Sequence, residues 1–164
     1  MKKYRLTEET TKVGNRTLYR IQALRDFGNA TKGDIGGYIE SEKNLSQDGN
    51  AWVSGNAWVY GNAWVYGNAR VSDDARVSGD SRVSGDADIK TAGDICSMSG
   101  FGSEYRTTTA FRTKNGDVHV SCGCFQGNLE AFCQRVESTH GNNLYGREYK
   151  KMIEMLKIHF EVEP

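Results

Sequence analysis

The chain has 164 residues, and its 21 lysine and arginine residues balance its 21 aspartate and glutamate residues. A net charge of zero argues against binding to nucleic acid polymers or to anionic membranes, which require a basic excess. No apolar run approaches the length of a membrane span, and the four cysteines are too unevenly spaced for a disulfide framework. We therefore expect a soluble protein of a reducing compartment.

Residues 1–34 predict a β-hairpin that opens the chain. Apolar side chains in 4–6 and in 18–24 flank the pair Gly14-Asn15, which suits a tight turn between two strands. We assign this hairpin and the segment that follows it to the first region.

Residues 35–101 form the second region, in which one six-residue pattern repeats. The pattern is Gly-Asn/Asp-Ala-Trp/Arg-Val-Ser/Tyr, and residues 55–60 read Gly-Asn-Ala-Trp-Val-Tyr. A short fixed period is typical of a solenoid. The alanine and the valine are two residues apart, so both face the same side of an extended strand, whereas glycine and asparagine suit corners. Each hexad therefore predicts one short strand and one corner.

The hexads resemble those of the left-handed β-helix family, in which an aliphatic residue is followed four residues later by a small one. The matching pairs are Val53…Ala57, Val59…Ala63, Val65…Ala69 and Val71…Ala75. The resemblance implies a left-handed parallel β-helix with three strands in each coil of about eighteen residues, and coils about 4.8 Å apart. The expected fold class is mainly β.

A coil of that length stacks the outward side chains in columns, with tryptophan first, arginine next and aspartate last. The columns are Trp52, Arg70 and Asp88; Trp58, Arg76 and Asp94; and Trp64 and Arg82. Three interpretations stay open. The columns stabilise a wet surface, they form a subunit interface, or their arginines bind phosphate while aromatic rings stack on a base. Exposed aromatic side chains favour self-association.

Residues 102–164 predict an α+β cap with the order strand, strand, helix, helix. Two runs, 107–112 and 118–122, flank a Lys-Asn-Gly-Asp turn. Asn128 suits the N-cap of a helix that Gly141 ends, and a second helix with an apolar stripe follows. Because the end of a solenoid exposes strand edges, we expect this unit to cover the last coil.

The three histidines, His119, His140 and His159, all follow the repeat. The acyltransferases that the repeat resembles use a histidine base near the coils, and the related carbonic anhydrases hold zinc with three histidines. No hexad contains a histidine, so neither chemistry is predicted on the coils. We expect a protein that is not an enzyme and has no cofactor. An acyltransferase with His140 or His119 as its base is the alternative.

Cys122, Cys124, Cys133 and His140 offer a second candidate constellation, a metal site. The spacing is not that of a Cys-x-x-Cys motif, and on a strand Cys122 and Cys124 would face the same side. Buried reduced thiols are the favoured interpretation, so no metal is expected.

Nearly the whole chain resembles a recurrent bacteriophage and prophage family. The matching stretches are 18–27, 36–46, the Gly-Asn-Ala-x-Val hexads, 111–114, 122–129, 139–141 and 148–149. Members of that family are described as uncharacterised, polymer-forming or transferase-like. The resemblance implies a phage-encoded protein of the host bacterial cytoplasm.

The predicted function is a non-enzymatic homo-oligomer, expected to be a trimer, that binds a small anionic ligand and sequesters a nucleotide-type immune signal. The candidate ligand-binding residues are Trp58, Tyr60, Trp64, Tyr66, Arg70, Arg76, Arg82, Arg112 and His140. Two alternatives stay open. One is an acyltransferase-like enzyme that acts at a subunit groove, and the other is a structural or assembly protein of the virion.

Overall fold

The computed structural model describes residues 1–162, and the chain divides into two compact units. The first unit, Met1–Ala92, contains the repeat. The second unit begins at Gly93 and consists of an antiparallel sheet and two helices. Neither helix in the described part of the chain is long and apolar enough to cross a membrane.

The first unit opens with two antiparallel strands, β1 (Tyr4–Val13) and β2 (Arg16–Ala23). A short turn at Gly14 and Asn15 joins them. Strand β3 (Ile35–Ile39) pairs antiparallel with β2 on one side and parallel with a repeat strand on the other. The opening segment and the repeat therefore share one five-stranded sheet.

Two-residue strands form the repeat, one in each hexad. They are β4 (Trp52–Val53), β5 (Trp58–Val59), β6 (Trp64–Val65), β7 (Arg70–Val71), β8 (Arg76–Val77), β9 (Arg82–Val83) and β10 (Asp88–Ile89). Strands three apart in sequence pair in parallel, in the orders β4-β7-β10, β5-β8 and β6-β9. This pairing confirms the predicted β-solenoid, with three strands in each coil.

The alanine and valine positions of the hexad form the interior of the solenoid. The second residue of every repeat strand is at most 1% exposed, and so are the alanines that precede the strands. Backbone amides join successive coils; for example, the Trp58 amide donates to the Ala75 carbonyl oxygen at 3.0 Å. Burying each valine contributes about 1.5–3 kcal/mol, so the stacked apolar column is the main source of stability.

Trp52 differs from the outward position that the columns predict for it. Its ring packs edge-on against Phe27, with ring centroids 5.2 Å apart, and lies 6.4 Å from the Tyr4 ring. The Lys3 ammonium, fully buried, lies 4.9 Å from the centre of the Phe27 ring and donates to the Ala51 carbonyl oxygen at 2.8 Å. The opening segment therefore packs on Trp52, and this tryptophan has a structural role.

The repeat ends earlier than the sequence predicts. Ala92–Asp94 forms a 3-10 helix, and the next strand, β11 (Ile95–Phe101), pairs antiparallel. Asp94 lies in that 3-10 helix rather than in a parallel repeat strand, so its predicted place in the second column is wrong. The physical reason is the loss of the corner residues, because Thr91 stands where a hexad has glycine and no Gly-Asn pair follows Ile95.

The second unit is a four-stranded antiparallel sheet followed by two helices. Strands β12 (Arg106–Arg112), β13 (Val118–Cys122) and β14 (Phe125–Asn128) follow β11 in simple order. The helices are α1 (Leu129–His140) and α2 (Leu144–His159). The unit thus has two more strands than the predicted strand-strand-helix-helix order. The apolar faces of the helices and the sheet share one core, whose buried members include Phe132, Met152 and Leu156.

Candidate functional site

A pocket of about 210 Å³ lies in the second unit, between the loop that joins β11 to β12, the β13–β14 turn and helix α1. Its walls combine aromatic rings, two guanidinium groups, hydroxyl groups and two thiols. The lining residues are Ser103, Glu104, Arg106, Cys122, Cys124, Phe125, Phe132, Arg135, Val136, Thr139, His140 and Tyr149.

Tyr149 of helix α2 lines the pocket and is 8% exposed. The His140 ring stacks against it at 5.7 Å, and the Phe132 ring packs edge-on at 5.8 Å. Burial, followed by a weak hydrogen bond to the Cys122 thiol at 3.7 Å, raises the pKa of Tyr149 to about 12. The phenol therefore stays neutral at physiological pH and can donate a hydrogen bond.

Two arginines give the pocket its positive charge. Arg106 begins strand β12, and Arg135 lies on α1 with its guanidinium 5.6 Å from the Phe125 ring centre. Within residues 1–162 neither guanidinium has an ion pair or a hydrogen bond, and Glu104 is the only acidic residue of the lining. The pocket lining therefore carries a net positive charge, from two arginines and one glutamate.

The thiols of the pocket differ from the predicted pair on one strand face. Cys122 ends β13 and accepts a hydrogen bond from the Thr108 hydroxyl at 3.2 Å. Gly123, with φ of 58°, starts the turn to β14, so Cys124 lies in the turn and is exposed rather than buried. Within residues 1–162 no three side chains of the metal-ligating types converge.

The structure brings the predicted solenoid residues together in two places. Arg76 lies 4.2 Å above the Trp58 ring and is paired with it in register. Trp64 stacks on Tyr66 at 4.0 Å with an interplanar angle of 20°, and is 39% exposed. Arg76 thus covers Trp58, whereas Trp64 and Tyr66 form a stacked pair in which Trp64 is exposed and Tyr66 is half-buried.

The remaining solenoid candidates follow the coil register that the sequence predicts. Arg70 lies between Trp52 and Asp88 in one sheet, and Arg82 pairs with Trp64 in another. The backbone amide of Tyr60 donates to the Val77 carbonyl oxygen at 3.0 Å. These pairings confirm the predicted register of the columns within the repeat strands.

Arg112 and His140, the two candidates from the second unit, have different surroundings. Arg112 donates to the carbonyl oxygens of Gly116 and Phe160, and lies 5.3 Å from the Phe160 ring centre. Its guanidinium is thus occupied by structural contacts, and it does not line the pocket. His140 lines the pocket at the end of α1.

Arg106, Arg135, Glu104 and Tyr149 are pocket residues that the sequence interpretation missed. Helix α1 carries one readable signal, because Phe132, Arg135, Val136, Thr139 and His140 share one face by their spacing. Polar residues on an apolar stripe mark a place where the stripe lines a cavity rather than the core. The loop residues and Tyr149 carry no such signal.

The first unit defines a β-solenoid protein of the hexapeptide type. Residues 51–67, 63–79 and 69–85 match the family model described as YdcK Beta solenoid repeat. Over 61 residues the chain is 38% identical to the "Uncharacterized acetyltransferase YdcK" of Escherichia coli (strain K12). That match covers 32% of this chain and 19% of the relative, so the chain spans far less than the length of the curated relative it matches. The family-model matches lie within the repeat and do not reach the pocket.

Proposed function

We propose that this protein is a β-solenoid binding protein whose second unit holds a small anionic ligand in the pocket. The observation that carries the proposal is the pair Arg106 and Arg135, whose guanidinium groups make no hydrogen bond and no ion pair within residues 1–162. Arginine binds carboxylate and phosphate through paired hydrogen bonds, each of which contributes about 1.5–3 kcal/mol when charged. The neutral Tyr149 phenol and the His140 ring add polar contacts on the inner wall.

The pocket volume limits the ligand. A volume of about 210 Å³ lies below the range of roughly 300–1,000 Å³ that encloses drug-sized ligands. A phosphate monoester or a small carboxylate fits this space. A cyclic dinucleotide would place only one phosphate and part of a base inside, against the Phe125 and Tyr149 rings.

The wider form of the proposal is a phage-encoded homotrimer of the host cytoplasm that sequesters a nucleotide-type immune signal. The positive pocket supports the anionic ligand, and the exposed Trp64 ring, stacked on Tyr66, supports self-association. Phage origin and the immune role rest on the family resemblance of the sequence.

The test is a calorimetric titration with inorganic phosphate, ribose 5-phosphate, AMP and cyclic di-AMP. Arg106→Gln and Arg135→Gln each remove one charge-assisted contact, so we expect affinity to fall about tenfold for each variant. Arg70→Gln is the matched control, since it removes the same charge from an exposed solenoid position. If Arg70→Gln weakens binding while the two pocket variants do not, the solenoid column is the site and the proposal fails.

A second candidate function, acyl transfer, is favoured by the name of the similar Escherichia coli protein and by His140 in the pocket. Its test is turnover of acetyl-CoA by the wild type, lost on His140→Ala. No detectable CoA binding would rule it out. A structural role in the virion is tested by looking for the protein in purified phage particles.

A further inference from the structure

The loop from Gly102 to Tyr105 forms one wall of the pocket, yet its position is set from outside the pocket. It joins β11 to β12, and the Tyr105 amide donates to the Gly102 carbonyl oxygen at 3.3 Å. Ser103 and Glu104 line the pocket, and Arg106 follows directly and pairs with Phe101. Arg106 therefore lies where the loop joins the sheet.

Two adjacent residues of helix α2 hold the loop. The Gly102 amide donates to a carboxylate oxygen of Glu148 at 2.9 Å. The Tyr149 ring lies against the Gly102 Cα, so that a Cβ at this position would be 2.6 Å from the Tyr149 Cζ atom. Gly102 is buried and has φ of 79°, a conformation that also disfavours any other residue. The loop therefore reaches α2 only with a glycine at its start.

Tyr149 also connects the loop to the other walls of the pocket. Tyr149 contacts Phe132 and His140 on α1 through its ring and Cys122 through its hydroxyl. Glu148 itself does not line the pocket, and its carboxylate accepts the hydrogen bond from the Gly102 amide. A loop that loses this bond keeps its ring contact but loses its only anchor to a charged group in residues 1–162.

We propose that Glu148 is a positioning residue for the anion pocket: it holds the Gly102–Tyr105 loop on α2 and so fixes Arg106 at the pocket rim. This inference rests on the proposed binding of a small anion. If Glu148 positions the loop, its removal weakens anion binding, whereas simple electrostatics predicts the opposite effect. A carboxylate near an anion site repels the ligand, so removing its charge alone would strengthen binding.

The experiment compares Glu148→Ala, Glu148→Gln and Glu154→Ala, with inorganic phosphate as the probe. Glu148→Ala loses the acceptor, and we expect phosphate affinity to fall on the order of tenfold. Glu148→Gln keeps an acceptor oxygen and should stay within about threefold of the wild type. Glu154, which is exposed and paired with Lys151, lies on the same helix, so Glu154→Ala removes the same charge without touching the loop.

A second measurement separates the positioning role from the binding proposal. Hydrogen exchange of the Gly102 amide should be faster by about tenfold or more in Glu148→Ala and unchanged in Glu154→Ala. Equal exchange in both variants overturns the inference, and so does phosphate binding by Glu148→Ala that equals or exceeds that of Glu154→Ala. If the wild type does not bind phosphate, ribose 5-phosphate or AMP, the proposed function fails as well, while the exchange result still decides whether Glu148 holds the loop.

Discussion

The corners of the solenoid offer a matched pair of substitutions, Gly55→Ala and Gly85→Ala. Both glycines have φ of 60°, so both alanines meet the same backbone penalty of about 1–2 kcal/mol. They differ in the neighbouring coil. A Cβ on Gly55 would lie 2.9 Å from the Asp73 amide nitrogen, whereas a Cβ on Gly85 would have no atom within 4 Å. The two coils cannot easily move apart at Gly55, because the Asn56 amide donates to the Asp73 carbonyl oxygen at 2.9 Å.

We expect Gly85→Ala to lower the free energy of unfolding of the first unit by about 1 kcal/mol, and Gly55→Ala by about 3 kcal/mol, since overpacking adds about 1–3 kcal/mol. The assay is urea unfolding followed by tryptophan fluorescence, which reports this unit alone because all 3 tryptophans lie in it. Asp73 itself occupies the equivalent corner with φ of 56°, so a side chain is tolerated where space allows. Equal losses for the two variants would refute the reasoning that close approach of stacked coils selects glycine.

Two further predictions concern Lys3 and Arg112. Burial lowers the pKa of Lys3 from 10.5 to about 8, so the folded protein releases this proton at a lower pH than the unfolded chain does. The free energy of unfolding of the wild type, relative to Lys3→Met, should therefore be lowest below pH 8 and rise towards pH 10.5, and a pH-independent difference would contradict this. Arg112→Met should cost the second unit about 2 kcal/mol through its lost bonds to backbone carbonyls, measured by far-ultraviolet ellipticity of the helices, and leave phosphate affinity unchanged. A loss of phosphate affinity in Arg112→Met would indicate that Arg112 binds the ligand after all.

The repeat could be predicted from sequence because its signals are local. Each hexad carries its own interior alanine and valine and its own corner glycine, and pairing of Trp58 with Arg76 confirms the coil register. The end of the repeat is harder to predict from sequence, because Ile95 still matches the apolar position of a hexad. What changes there is the missing corner, which frees the chain to continue as an antiparallel strand.

The pocket could not be predicted, because its parts are distant in sequence. Arg106, Arg135 and Tyr149 come from a strand, from one helix and from another, and only the packed unit brings them together. Trp52 shows the same limit, since its contact with Phe27 depends on how the opening segment folds back. His140 lies in a stretch that resembles the phage family and does line the pocket, but nothing in the sequence indicates its neighbours there.

The most direct test of the anion pocket is a nitrogen-15 nuclear magnetic resonance titration of the wild type with inorganic phosphate and AMP. We predict that the largest changes in chemical shift occur at the guanidinium groups of Arg106 and Arg135 and at the His140 ring, with the solenoid signals unchanged. Shifts concentrated on Trp58, Arg76 and their column, or no shifts at any ligand concentration, would contradict it.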